Sequence, residues 1–278
     1  METSLHSSPV VREAAISTAF ENSLSPETLH AQAPAVFAPS AHMRTSAAYA
    51  FISTERLLAA FQNAGFLPVS VRQARTRTAE ELYARHVVRL RRRFETVRVN
   101  DVVPEIVFFN SHDGRSAYQL RFGLFRAVCS NGMIVSAGSF AAFRARHRGD
   151  VVEEIIQAAL GMCERFEALS GVVEQMEHKR LEDEERIRFA ERALRLRYPD
   201  VVQAGMQPSQ LLTCRRPEDI GQDLWRTYNV VQENLLRGGQ SRRSPSGRLT
   251  RSRRITAIRE DVRLNVGLWD LATAALAA

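Results

Sequence analysis

Two periods of apolar residues divide this chain. Between residues 66 and 136 they mostly alternate with polar neighbours, and from Val151 onward they recur at three and four. In FLPVSVRQARTR, Val69 and Val71 alternate with polar residues, which predicts an extended segment. Thr78 and Glu81 have capping-box spacing and predict a short helical turn. His86, Val88 and Leu90 then oppose Val87, Arg89 and Arg91, which predicts a strand over about 85–93. PEIVFFN (104–110) reads as another strand, and Tyr118, Leu120, Phe122 and Leu124 fall on one face of a longer one. Asp113-Gly114 and Asn131-Gly132 are tight-turn signals, because a primed turn needs positive φ and glycine supplies it without strain. The sum is an antiparallel meander.

The helical period begins in STERLLAAFQNAG (53–65), where Leu57, Leu58 and Phe61 share a face, Ser53 or Thr54 can cap, and Gly65 suits the stop. From Val152 to Met176 the pattern predicts one long amphipathic helix. A second runs to Tyr198 with Glu184–Arg188 and Glu191–Arg195 pairs, and Pro199 ends it. Residues 223–237 and 262–277 read as helices, with CRRPEDIGQ (214–222) as a loop. Residues 1–44 are rich in Ala, Ser and Pro and read as a mostly flexible arm, with Val36 and Phe37 docking and order beginning near Tyr49. The expectation is an α+β fold: a twisted antiparallel β-meander (66–136) packed against a long helix and C-terminal helices (151–198, 223–237, 262–277), one domain over 45–278.

Composition changes this picture in one respect. The 278 residues carry a formal charge of +7 and a pI near 10, which favours polyanionic partners. Lys179 is the sole lysine, so the cationic side chains are almost all arginine. A GC-rich coding bias accounts for that, as does selection for bidentate phosphate contacts. Cys129, Cys163 and Cys214 lie far apart, with no disulfide framework or zinc spacing. No apolar run approaches a membrane span and no signal-peptide layout opens the chain, so the expected location is the cytoplasm.

Three stretches carry candidate chemistry. NSHDGRSAY (110–118) holds His112 and Asp113, a conceivable general base with its carboxylate, and Cys129 is a conceivable nucleophile. Neighbouring turn residues point different ways and no second ligand cluster matches, so the turn reading is preferred, and no metal or cofactor is expected. Arg85, Arg89, Arg91 and Arg93 share one face of the predicted strand, with Arg121 on a neighbouring one; such a face can track a phosphate backbone, or can be a merely solvated face with its stems packed on the sheet. Residues 238–254 contain Arg242, Arg243, Arg248, Arg251, Arg253 and Arg254 and no acid, and read as a flexible polyanion-binding arm. The phosphate-gripping GxxxxGK[ST], GxGxxG, HExxH and GxSxG motifs are absent.

FNSHDGRSAYQLRFGLFRAVCSNGMIV, together with APAVFAP, LPVSVRQARTR…RHVVRLRR and DLWRTYNVVQENLLRGG…LNVGLWDLA, resembles the phage- and plasmid-borne domain-of-unknown-function family 932 over residues 34–275. The resemblance marks Asn110, His112, Asp113, Gly114, Arg126, Cys129, Asn131, Gly132, Trp225, Asn229, Gln232, Glu233 and Asn234 as family-like, and it implies a mobile-element setting with no agreed catalytic residues. In outline, a meander followed by a long helix is similar to Rad52-like annealing proteins. The function expected is therefore binding of nucleic acid, single-stranded DNA first, in recombination or replication. The alternatives are an enzyme acting on nucleic acid around His112, Asp113, Arg126 and Cys129, or a protein-binding anti-defence factor that takes a host or phage partner through the acidic 182–185 segment or the apolar C-terminal helices. Homo-oligomerisation is open.

Overall fold

A computed structural model describes residues 23–76, 78–93, 102–126, 131–135, 142–199, 205–244 and 246–278. The helices are α1 (Pro26–Gln32), α2 (Thr54–Asn63), α3 (Val152–Cys163), α4 (Phe166–His178), α5 (Asp183–Arg197), α6 (Leu224–Arg237) and α7 (Ile258–Ala277). The strands are β1 (Phe66–Gln73), β2 (His86–Arg92), β3 (Val102–Asn110), β4 (Tyr118–Arg126), β5 (Asn131–Ile134), β6 (Phe143–Ala145), β7 (Ser241–Arg243) and β8 (Leu249–Arg251). The chain is α+β, and β1 to β5 follow one another in the sheet as a meander, with β6 added antiparallel to β4. By compactness it divides into Met1–Leu120 with Phe125–Ser130 and Phe143–Ala159, and Arg121–Leu124 with Asn131–Ala142 and Leu160–Ala278.

In the first unit, β1 pairs with β2 and β2 with β3, Leu90 opposite Ile106 and His86 opposite Asn110. Pro68, which cannot donate to a ladder, sits where the β1 register shifts. Every residue of β3 is buried, as a strand covered on both sides requires. Ser53 caps α2 by accepting from the Arg56 amide at 3.2 Å. Phe61 of α2 packs on Phe66 and Phe108, with ring centroids 5.8 and 5.6 Å away.

Order begins earlier than Tyr49. Ser25 caps α1 and Pro26 opens it, a start signal masked by the Ala/Pro-rich surroundings. A 3-10 turn (Pro34–Phe37) buries Ala35 and Val36, and the Ala35 amide donates to Gln73 Oε1 at 2.9 Å. The expected arm over 1–22 lies outside the described residues.

In the second unit, α6 buries Leu224, Tyr228, Val231 and Leu235, and α7 buries Leu264, Leu268 and Trp269. Trp225, Tyr228 and Trp269 form an aromatic chain with centroid spacings of 5.6 and 6.0 Å. The Glu184–Arg188 and Glu191–Arg195 pairs form on α5.

Three expectations are corrected here. The single long helix from 151 is two, because Arg165 adopts φ −92, ψ 3 and its amide reaches back only to Met162. The apolar period continues across that break, so the pattern hid it. Asn131-Gly132 opens β5 and is not the tight turn expected. The basic stretch 238–254 is no flexible loop: β7 and β8 pair with Ser241 opposite Arg251, Arg242 opposite Thr250 and Arg243 opposite Leu249. Its tip is closed by Gly247 at φ 80, whose amide donates to the Ser244 carbonyl, while the Ser244 amide donates to the Arg248 carbonyl.

Candidate functional site

The turn after β3 is built from its own side chains. Asp113 Oδ1 accepts from Ser111 Oγ at 2.6 Å and from the Arg115 amide at 3.0 Å, and Gly114 takes φ 74. A Cβ on Gly114 would come within 3.2 Å of Thr45 Cγ2, so the glycine also admits the N-terminal segment. That segment docks through the His42 amide, which donates to the His112 carbonyl at 2.9 Å, and through Tyr49 Oη on the Ser111 carbonyl at 3.3 Å.

His112 points away from Asp113, into the core. Its Nε2 lies 3.3 Å from Thr54 Oγ1, and His86 Nε2 lies 2.8 Å from the same oxygen. His86 Nδ1 is 2.9 Å from the Ala84 carbonyl, which can only accept, so Nδ1 carries the proton and Nε2 is bare. Thr54 therefore donates to His86 Nε2 and accepts from Asn110 Nδ2 at 2.8 Å and from the Nε2–H of His112. His112 Nδ1 is left bare: the Ala35 backbone approaches it but lies outside hydrogen-bond geometry. His147 sits between Tyr49 and Tyr118, centroids 4.5 and 3.7 Å away, and neither ring nitrogen has a hydrogen-bond partner among the described residues, the Ser116 backbone again falling short. Burial pushes His86 and His147 down to about 4 and, with the two neighbouring imidazoles, His112 to about 3.

This cluster is a neutral polar interior that ties α2, β2, β3 and the turn together. His112 and Asp113 bond separate partners and form no dyad. Arg126 is buried on β4, and Cys129 lies outside the described residues. Among the described residues, no three His, Cys, Asp or Glu side chains are placed to hold a metal.

The arginine stripe is likewise turned to structure. Glu105, a buried carboxylate in the apolar β3, accepts from Arg89 Nη1 at 2.6 Å and from Arg91 Nε at 2.8 Å. Arg91 also stacks 3.9 Å above the Phe125 ring. The cations expected to face a phosphate chain are thus paired with an internal acid. Arg85 precedes β2 and is half-buried, Arg93 follows it on an exposed turn, and Arg121 lies on the part of β4 in the second unit. Tyr83, the aromatic nearest the start of β2 in sequence, packs edge-on against His42 at 4.7 Å, while Phe94 lies outside the described residues.

The hairpin of β7 and β8 is different. Arg243, Arg248, Arg251, Arg253 and Arg254 are exposed, and none has a carboxylate partner among the described residues. Arg242 turns inward over Tyr198 at 4.9 Å. Arg197 grips the base by donating to the Leu235 and Arg253 carbonyls, and the Arg243 amide donates to Gly205 O at 2.8 Å. Gly238, at φ 71, lets the chain pass: a Cβ there would lie 2.7 Å from the Arg253 carbonyl carbon.

Asn234, a family-like amide of α6, holds this base in place. Asn234 Nδ2 donates to the Leu211 and Thr213 carbonyls, both at 2.9 Å, and its Oδ1 accepts from Arg215 Nε at 2.7 Å and Gln240 Nε2 at 3.2 Å. Gln240 in turn bonds Ser252 across the hairpin's foot. Gln232 donates to Asn265 Oδ1 of α7 at 2.9 Å, and Asn229 to the Trp225 carbonyl at 2.7 Å. Burial would raise the Glu233 carboxyl, but Arg216 and Arg237 outweigh that and hold it below its usual value. Trp225 packs in the aromatic chain.

Residues 41–269 match the family model described as domain of unknown function (DUF932). The chain belongs to this family. Among its relatives is the UPF0380 protein YfjQ of Escherichia coli (strain K12), 38% identical over 250 residues, covering 90% of each chain. The UPF0380 protein YafZ of the same strain is 38% identical over 254 residues, covering 91% of this chain and 92% of its own. No solved structure matches. Residues singled out by the family-like motifs within the described parts, such as Asn110, Asn229, Gln232 and Asn234, are mostly buried hydrogen-bonding groups.

Sequence reasoning missed His147 and Glu105, and took Thr54 only as a candidate helix cap. For Glu105 a signal existed: one acid within VVPEIVFFN, in a sheet where the neighbouring strand reads RHVVRLRRR. Replacing Glu105 by Gln removes the carboxylate that Arg89 and Arg91 share and should cost about 3–5 kcal/mol in urea unfolding; a loss under about 1 kcal/mol would mean that water neutralises them instead. The histidines generate a pH dependence. Held neutral in the fold but titrating near 6.5 when unfolded, they make the unfolded chain the better proton binder, so stability is complete above 6.5 and is lost as pH falls toward about 4. His147→Phe keeps the ring stack and removes one such group, so its urea midpoint should drop less than that of wild type between about pH 7 and pH 5. Equal drops would contradict this role for His147.

Proposed function

We propose that this protein binds nucleic acid through the β7–β8 hairpin. One observation carries the reading: five exposed arginines with no carboxylate partner among the described residues, Arg243, Arg248, Arg251, Arg253 and Arg254, are concentrated on an ordered ribbon whose base is fixed by Arg197, Asn234, Gln240 and Gly238. Elsewhere the carboxylates engage many of the arginines, as at Arg89, Arg91, Arg216 and Arg263. Leaving a run of like charges uncompensated opposes the compact state through self-repulsion, and a polyphosphate relieves it. An ordered ribbon also has less conformational freedom to lose on binding than a flexible arm.

The work required is neutralisation and positioning, with no reaction. No described helix is long and apolar enough to cross a membrane. A cytoplasmic role in replication, recombination or establishment of a mobile element follows from this reading together with the phage- and plasmid-borne resemblance. The acidic start of α5, considered as a protein-binding segment, is engaged locally: Glu185 accepts from the Glu182 amide at 2.8 Å and Asp183 meets Arg186 at 3.3 Å.

The test is a salt titration of binding to a mixed-sequence oligonucleotide, with wild type and the triple variant Arg251→Ala, Arg253→Ala, Arg254→Ala. Each lost phosphate contact should reduce the slope of log K against log salt by about 0.9 on a duplex or about 0.7 on a single strand. Affinity should drop about tenfold or more at low salt. Wild-type protein that retains no oligonucleotide at low ionic strength would overturn the proposal.

A further inference from the structure

Resting on that reading, we infer that the β7–β8 ribbon enters the major groove of a duplex and sets Leu249 against a thymine methyl group. The register supplies the first step. Directly opposed residues on an antiparallel pair share a face, and successive residues alternate. Ser241 with Arg251, and Arg243 with Leu249, therefore form one face, and Arg242 with Thr250 the other. All four residues of the first face are exposed, while Arg242 and Thr250 are half-buried, Arg242 over Tyr198. The outward face is thus cationic with one apolar side chain on it, Leu249, 68% exposed.

Lone exposed leucines are ordinary on protein surfaces. This one stands opposite Arg243 and two residues from Arg251 on a ribbon otherwise stripped of apolar groups: residues 238–254 contain no aromatic and no second large aliphatic side chain. Single-strand binders rely on aromatic platforms for unstacked bases. Here the nearby Tyr198 ring is occupied, with Arg242 at 4.9 Å and Arg197 at 5.3 Å from its centre. A duplex needs no platform. A two-stranded ribbon is one of the elements that a major groove about 12 Å wide admits. The floor of the major groove offers one apolar feature, the thymine C5-methyl, and acceptors on guanine that suit arginine. Leu249 flanked by Arg243 and Arg251 matches that chemistry, and Arg248, Arg253 and Arg254 remain for phosphates.

The experiment is a fluorescence-anisotropy titration of the full chain with three probes: a mixed-sequence duplex, the same duplex with every thymine replaced by deoxyuridine, and one labelled strand alone. Leu249→Ser is titrated beside wild type, its thermal midpoint confirming the fold. Wild type should prefer the duplex to the single strand, and should bind the thymine duplex about threefold to fourfold more tightly than the deoxyuridine duplex, the ratio that burying one methyl group gives. Leu249→Ser should bind the two duplexes alike. A single strand bound as tightly as the duplex would overturn the groove assignment and leave nucleic-acid binding standing. A methyl preference that is absent, or that survives in Leu249→Ser, would overturn the role of Leu249. Failure to bind any probe would remove the proposed function itself.

Discussion

A carboxylate buried on a fully covered strand costs several kcal/mol unless cations reach it with good geometry. Glu105 meets that condition only because Arg89 and Arg91 of β2 both point at it. The pairing fixes the face of β2 on which those arginines lie and locks its register against β3, since a one-residue slip would send them to the opposite side. It also divides the cations of the chain into two kinds. Arg89, Arg91, Arg197 and Arg216 close internal networks, whereas Arg243, Arg248, Arg251, Arg253 and Arg254 have no carboxylate partner among the described residues. A net charge of +7 says nothing of this division, and the functional reading depends on it.

Within each unit, buried polar groups do the fastening. In the first, Thr54 Oγ1 gathers His86, His112 and Asn110, so α2, two strands and the following turn share one oxygen. In the second, Asn234 uses both ends of its amide to hold the 211–215 loop and, through Gln240, the foot of the hairpin. Such networks specify one arrangement strongly because a half-satisfied member is costly. The hairpin is accordingly presented on a fixed base.

The meander, α2 and α6 were legible because their apolar periods and end signals agree: Ser53 caps, Gly65 stops, and Asp113-Gly114 turns. Helix α1 was obscured because its cap, Ser25-Pro26, lies in a segment whose composition suggests disorder. The hairpin's sequence suggests a flexible arm because its stability comes from no apolar face; it comes from Arg197, Gly205 and Ser252, whose partners are distant in sequence or supplied by backbone carbonyls. For the candidate site, the arm's arginines were visible as a cluster, but the stripe of Arg85, Arg89, Arg91 and Arg93 looked equally suitable until Glu105 was placed beside it. Likewise His112 and Asp113 are adjacent in sequence and bond in different directions in space, which adjacency alone cannot reveal.

The division of the arginines can be measured directly by mass-spectrometric mapping of phenylglyoxal labelling, with and without saturating oligonucleotide. Arg243, Arg248, Arg251, Arg253 and Arg254 should react quickly and become protected when nucleic acid is added, while Arg89 and Arg91 stay slow throughout. Rapid labelling of Arg89 and Arg91, or hairpin rates that nucleic acid leaves unchanged, would contradict the account.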